Sequence, residues 1–102
     1  MAVKRALIMH PLDNVATALA EIRAGEEVAI PLPGKALTLR ATETIPFGFK
    51  IALQEIPQGG IIRKYGETIG RATTAIARGA LVHIHNLEGT RARGDLEGRK
   101  AR

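Results

Sequence analysis

The apolar positions change their period along the chain, and the changes predict its elements. Residues 3–9, Val-Lys-Arg-Ala-Leu-Ile-Met, read as a first strand. It ends at His10-Pro11, because proline has no N–H for a ladder and restricts the residue before it. Val15, Ala18, Leu19 and Ile22 then recur at i, i+3, i+4 and i+7, which predicts the apolar face of one long helix over 14–23. Asp13-Asn14 stands where a cap belongs, and Gly25 where a left-handed closing residue belongs. Beyond it the period falls to two. Lys35 to Arg40 alternates, with Leu37 and Leu39 on one side, as a short strand does.

A short template recurs from Ile22 onward. Ile22 is followed by Gly25 and Val28, Ile45 by Gly48 and Ile51, Ile56 by Gly59 and Ile62, and Ile76 by Gly79 and Val82. The isoleucine anchors a turn to the core, and the glycine takes a backbone angle that a Cβ would penalise. A β-branched residue then opens a strand. Pro46 and Pro57, directly after two of the isoleucines, suit turns better than central strands. Pro31-Leu32-Pro33-Gly34 marks another turn, and the irregular spacing of the copies argues against a solenoid. The expected fold class is therefore mainly β with one long helix, an α+β arrangement of short strands and tight glycine turns.

The last copy, residues 76–86, carries two of the three histidines. If Val82-His83-Ile84-His85 continues as a strand, Val82 and Ile84 enter the core and His83 and His85 share the other face. Two readings stay open: a polar face built for a ligand, or two solvated imidazoles on a sheet edge. The pair could bind a metal or donate to a carboxylate, but two imidazoles alone do not complete a metal site.

Composition narrows the classes. A chain of 102 residues argues for one domain, and without cysteine there is no disulfide framework, thiolate nucleophile or Cys-based zinc site. No apolar run approaches the roughly 20 residues of a membrane helix. The run after Lys4-Arg5 is too short for a secretory signal, so a cytoplasmic location is expected. The formal net charge is +5. Five basic residues of the stretch 88–102 (Arg91, Arg93, Arg99, Lys100 and Arg102) face three acidic ones (Glu88, Asp95 and Glu97), so +2 falls there and +3 is spread over the rest. That stretch is expected to be a flexible basic tail on a domain of residues 1–87. Aromatic residues make up 3% of the chain, too few for base stacking, which argues against a nucleic-acid partner.

The familiar catalytic signatures are absent: there is no G-x-S-x-G, no phosphate loop and no H-E-x-x-H. Asp13-Asn14 could be a ligand pair as well as a cap. Lys64 and Tyr65 could meet an anionic substrate, or be a solvated lysine beside a half-buried ring. His10 before a proline is most simply a loop histidine.

Several of these pieces together resemble a known family. His10-Pro11, Asp13-Asn14-Val15-Ala16, Ile45-Pro46, Lys50-Ile51-Ala52-Leu53, Lys64-Tyr65-Gly66, Ile69-Gly70 and Val82-His83-Ile84-His85-Asn86-Leu87 resemble the N-terminal, SAF-type domain of altronate and galactarate dehydratases, over about residues 5–87. The resemblance implies a compact β-clip fold. It also implies the family's separate small-subunit form, like the small chain of sulfolactate sulfo-lyase. Such a subunit would cap the active site of a large catalytic dehydratase-type subunit that eliminates water or sulfite from a small hydroxy acid. A divalent metal, iron, would be held mainly by the large subunit. Carried over by position, His10, Lys64, His83, His85 and Asn86 are the expected substrate-binding groups, with His83 and His85 as candidate metal ligands. Phe49 departs from the pattern, since family members often carry a histidine there. The alternative is a stand-alone module that binds a carbohydrate or an anion; alone, the chain could also form a homo-oligomer.

Overall fold

The isoleucines of the template meet in pairs. In the computed structural model, which describes residues 3–89, Ile22 and Ile45 exchange backbone hydrogen bonds at 2.9 and 2.7 Å, and Ile56 and Ile76 do so at 2.9 and 2.8 Å. These pairings divide the middle of the chain into two similar units. In the first, Gly25 N–H donates to Ala41 O and Gly48 N–H to Ala18 O. In the second, Gly59 N–H donates to Ala72 O and Gly79 N–H to Ala52 O. Each unit is a hairpin framed by two copies of the template. The four copies are thus two framed hairpins in tandem.

The strands are β1 (Lys4–Leu7), β2 (Val15–Ala18), β3 (Glu27–Leu32), β4 (Lys35–Arg40), β5 (Lys50–Ala52), β6 (Ile61–Lys64), β7 (Glu67–Ala72), β8 (Leu81–Val82) and β9 (Leu87–Gly89). Six form a sheet in the order β4-β3-β1-β2-β5-β8, and three form a second in the order β6-β7-β9. The first hairpin, β3–β4, pairs from Glu27↔Arg40 to Leu32↔Lys35. The second, β6–β7, is shorter and bulged between Ile62 and Arg63. β1 runs parallel to β3 and antiparallel to β2.

No helix occurs among the described residues, so the helix expected over 14–23 is corrected. That stretch is β2 followed by a bridge at Ile22. β2 is a central strand, with Ala16 and Ala18 in one apolar cluster and Val15 in another. A strand buried on both faces loses its alternation, and a short apolar run then imitates helical spacing. Leu19, which a helix would have buried, is exposed. The strand expected over 35–40 is β4 with the same bounds, and the first strand is confined to Lys4–Leu7.

The core is aliphatic. Ile22, Ile30, Ile45, Ile51, Ile62, Val15, Val28 and Val82 are its largest fully buried side chains, each stabilising by about 2 kcal/mol. Ile22, Val28, Ile30, Ile45 and Ile51 join the cluster on one side of β2; Val15, Ile56, Ile62, Ile76 and Val82 form the other. The tail expected from residue 88 lies outside the described residues from 90 onward, while Glu88 and Gly89 belong to β9. No helix is long and apolar enough to cross a membrane among the described residues.

Gly79 combines a φ of +89° with a backbone that leaves no room, since a Cβ there would meet the Arg40 carbonyl oxygen. Gly34, at φ +75°, has nothing within 4 Å. Gly79→Val is expected to lower Tm by more than about 12 °C, from backbone strain plus overpacking. Gly34→Ala should cost only about 1–2 kcal/mol, from strain alone. Thermal melts of the two variants check the ranking, which an unchanged Gly79→Val melt would contradict.

Candidate functional site

The tip of the second hairpin is two residues long. Tyr65 and Gly66 lie between the paired Lys64 and Glu67, with φ of 59° and 75°. Both central residues are left-handed, as a type I′ turn requires, and that turn matches the twist of the strands. Tyr65 is the one non-glycine residue with positive φ among the described residues.

Asp13 and Asn14 hold this tip from across the fold. Asp13 Oδ2 accepts from Tyr65 N at 2.9 Å and Oδ1 from Gly66 N at 2.7 Å. Asn14 Oδ1 accepts from Arg63 N at 2.9 Å, and Asn14 Nδ2 donates to Ile61 O at 2.8 Å. Both side chains are buried. A buried carboxylate needs such donors to replace water, and charge-assisted bonds are the stronger kind. The pair expected to cap a helix instead clamps a hairpin.

His10 completes the tip. Its ring lies so close over Gly66 that a Cβ on that glycine would sit 2.8–3.0 Å from ring atoms. Its Nδ1 accepts from Leu12 N at 3.1 Å, and its carbonyl accepts from Asp13 N at 2.9 Å. The neutral ring therefore carries its proton on Nε2. One local turn thus sets both the imidazole and the carboxylate that touch Tyr65-Gly66. Lys64 Nζ lies 5.2 Å from the centre of the Tyr65 ring, within cation–π range.

Lys50, on β5, was not singled out by sequence. It is partly buried and stands in register between Thr17 on β2 and Val82 on β8. Burial, and after it the charge of Lys64, hold Lys50 below the ordinary lysine range. The Thr17 hydroxyl is buried without a hydrogen-bond partner. A signal existed in the template: the slot that holds Lys50 holds Glu27, Ile61 and Leu81 in the other copies, and no other copy has a cation there.

The His83-Ile84-His85 stretch differs from expectation. β8 ends at Val82, and residues 83–86 turn. Asn86 causes this: its Oδ1 accepts from His83 N at 2.9 Å and its Nδ2 donates to Leu81 O at 2.8 Å. Such local capture of backbone by an asparagine side chain competes with a ladder. Ile84 is therefore 80% exposed instead of in the core. The His83 ring lies 4.5 Å from the Phe49 ring, tilted by 49°, beside Lys50. His85 is exposed and Asn86 is buried within the turn. The structure thus brings His10 and Lys64 to one hairpin tip and sets His83 against the residue preceding Lys50. The described residues hold no cluster of three or more His, Cys, Asp or Glu side chains able to bind a metal, so the donor set does not fit an iron centre within them.

Removing the clamp should loosen the tip. Asp13→Ala and Asn14→Ala are each expected to cost about 2–3 kcal/mol and to speed amide exchange at Arg63, Tyr65 and Gly66, measured by hydrogen-exchange NMR. Wild-type protection at those amides would contradict the clamp. Lys50→Met should raise stability at neutral pH by removing a charge that folding desolvates. Because the folded pKa of Lys50 is lowered, that gain is full below it and shrinks as pH rises toward about 10.5, the usual lysine value. Urea midpoints of both proteins from pH 7 upward test the sign.

Comparison with known proteins identifies the family of the chain. A family model described as the altronate/galactarate dehydratase SAF domain matches residues 4–90. The chain is 44% identical to an altronate dehydratase of Escherichia coli K12 over 78 residues, covering 76% of this chain and 15% of that protein. It is 37% identical to an altronate dehydratase of Bacillus subtilis over 84 residues, 82% of this chain and 16% of that protein. It is 32% identical to the alpha subunit of (2R)-sulfolactate sulfo-lyase of Chromohalobacter salexigens over 54 residues, 53% of this chain and 57% of that subunit. The chain spans only about a sixth of the altronate dehydratases it matches. On its sequence and on the span of that match, the chain belongs to the altronate/galactarate dehydratase SAF domain family.

Proposed function

We propose that this domain serves a lyase acting on a small hydroxy acid, as a small subunit laid over the active site of a large dehydratase-type polypeptide. Family membership supports the reaction class, and the likeness to a sulfo-lyase alpha subunit supports the small-subunit form. The observation that carries the reading is the clamped tip, which holds an exposed imidazole and a lysine on a rigid turn. A lid must present its polar groups in fixed positions, because a misplaced group loses most of its effect on a reacting centre.

The elimination removes a proton from the carbon beside a carboxylate and expels a leaving group from the neighbouring carbon. The cations of this domain would hold the carboxylate and stabilise the charge that develops on it. His10 Nε2, with its tautomer set by the Leu12 N–H, would donate to a substrate oxygen. His85 projects from the exposed turn after β8. The divalent metal of this reading, iron, belongs to the large polypeptide, where it would supply Lewis-acid chemistry.

Mixing tests the reading. The chain alone should not turn over altronate or galactarate, and adding it to a large dehydratase-type polypeptide should produce or raise turnover. His10→Ala and His85→Ala should each lower kcat/KM of the mixture at least roughly tenfold, with little change in Tm. Turnover by the large polypeptide that ignores this chain, or wild-type rates in both variants, would overturn the proposal.

A further inference from the structure

Two groups on one face of the large sheet, Thr17 and Lys50, lack a polar partner. The Thr17 hydroxyl is buried and unpaired, although a buried hydroxyl almost always has a partner. Directly across the β2–β5 pair stands Lys50. Residues opposite one another on antiparallel strands share a face, with Cβ atoms about 5 Å apart. Lys50 makes no ion pair among the described residues; the charge acting on it is that of a second cation, Lys64, from the clamped hairpin. Thr17 and Lys50 thus face one another as a hydroxyl and an ammonium with no acceptor between them, within the field of a second cation.

We propose that Thr17, Lys50 and Lys64 form a subsite for the carboxylate of a small hydroxy acid. A carboxylate is acceptor-only, and its two oxygens can take several donors at once. It supplies the missing partner for Thr17 and the missing counter-charge for Lys50. A water molecule could satisfy the hydroxyl but would leave the charge of Lys50 without a partner.

The Tyr65-Gly66 clamp explains why the site can persist without its ligand. Two like charges would normally swing apart. Here Lys64 directly precedes a turn fixed by Asp13, and Lys50 lies on a strand hydrogen-bonded on both sides. The scaffold thus fixes the backbone from which both lysines extend, which lowers the ordering cost of binding an anion there. In its choice of a hydroxy acid, this inference rests on the function proposed above.

The test uses the whole chain, labelled with 15N and without any catalytic partner. Galactarate is titrated in, with galactitol as the uncharged analogue and inorganic phosphate as a second anion, all at one ionic strength. Galactarate should shift the amides of Thr17, Lys50 and Lys64 saturably, with Kd on the order of millimolar. Galactitol should leave them unmoved, and phosphate should bind at least threefold more weakly. Lys50→Met should weaken galactarate binding at least tenfold while keeping native shift dispersion, and Thr17→Val should weaken it at least threefold. Equal shifts with galactitol, phosphate binding as tight as galactarate, no saturable shift, or an undiminished Kd in Lys50→Met would each overturn the subsite. Binding with no effect of this chain on turnover would sink the lid and spare the subsite. Turnover that depends on this chain but tolerates Lys50→Met would do the reverse.

Discussion

The bonds from Asp13 and Asn14 to the tip of the second hairpin are the constraint on which the candidate site depends. They join residues 47 to 53 positions apart in the chain. Without them the short, bulged β6–β7 hairpin would be tied to the large sheet mainly by apolar packing, which fixes a distance but not an orientation. Hydrogen bonds fix both. Four backbone groups of residues 61–66 are directed at two adjacent side chains, so the register of the hairpin and the placement of its tip are set together.

The tandem units explain why the candidate site lies at one corner. Both share the isoleucine bridge and the glycine-to-alanine hydrogen bonds. They differ in their hairpins. The first is long and ends in the Pro33-Gly34 turn; the second is short and ends in Tyr65-Gly66. Asp13 and Asn14 clamp the second, and the same segment brings an imidazole with it. A symmetric scaffold therefore carries an asymmetric surface, with the cations of β5 and β6 on the side where the clamp operates.

Much of the scaffold was legible. The template isoleucines and glycines marked the turns, and the alternation of Leu37 and Leu39 marked β4 with its bounds. The family was legible from His10-Pro11, Lys64-Tyr65-Gly66 and the histidine-rich end. Three features were not. β2 imitated a helix because a central strand is apolar on both faces, and only its neighbours reveal which period applies. The Val82-His83-Ile84-His85 alternation promised a strand that Asn86 converts into a turn, and no periodicity records such a side-chain bond. Lys50 was hidden because its place opposite Thr17 is a matter of cross-strand register, which a linear reading lacks.

Tyr65 has one more consequence. It is the single tyrosine of a chain without tryptophan, and it stands exposed on the clamped turn with the Lys64 ammonium over its ring. The aliphatic interior is therefore silent in near-ultraviolet absorption and emission. Intrinsic fluorescence of this protein reports chiefly on one corner, so loss of its core would register optically only through the phenol at the rim, whereas a molecule arriving there would be seen directly.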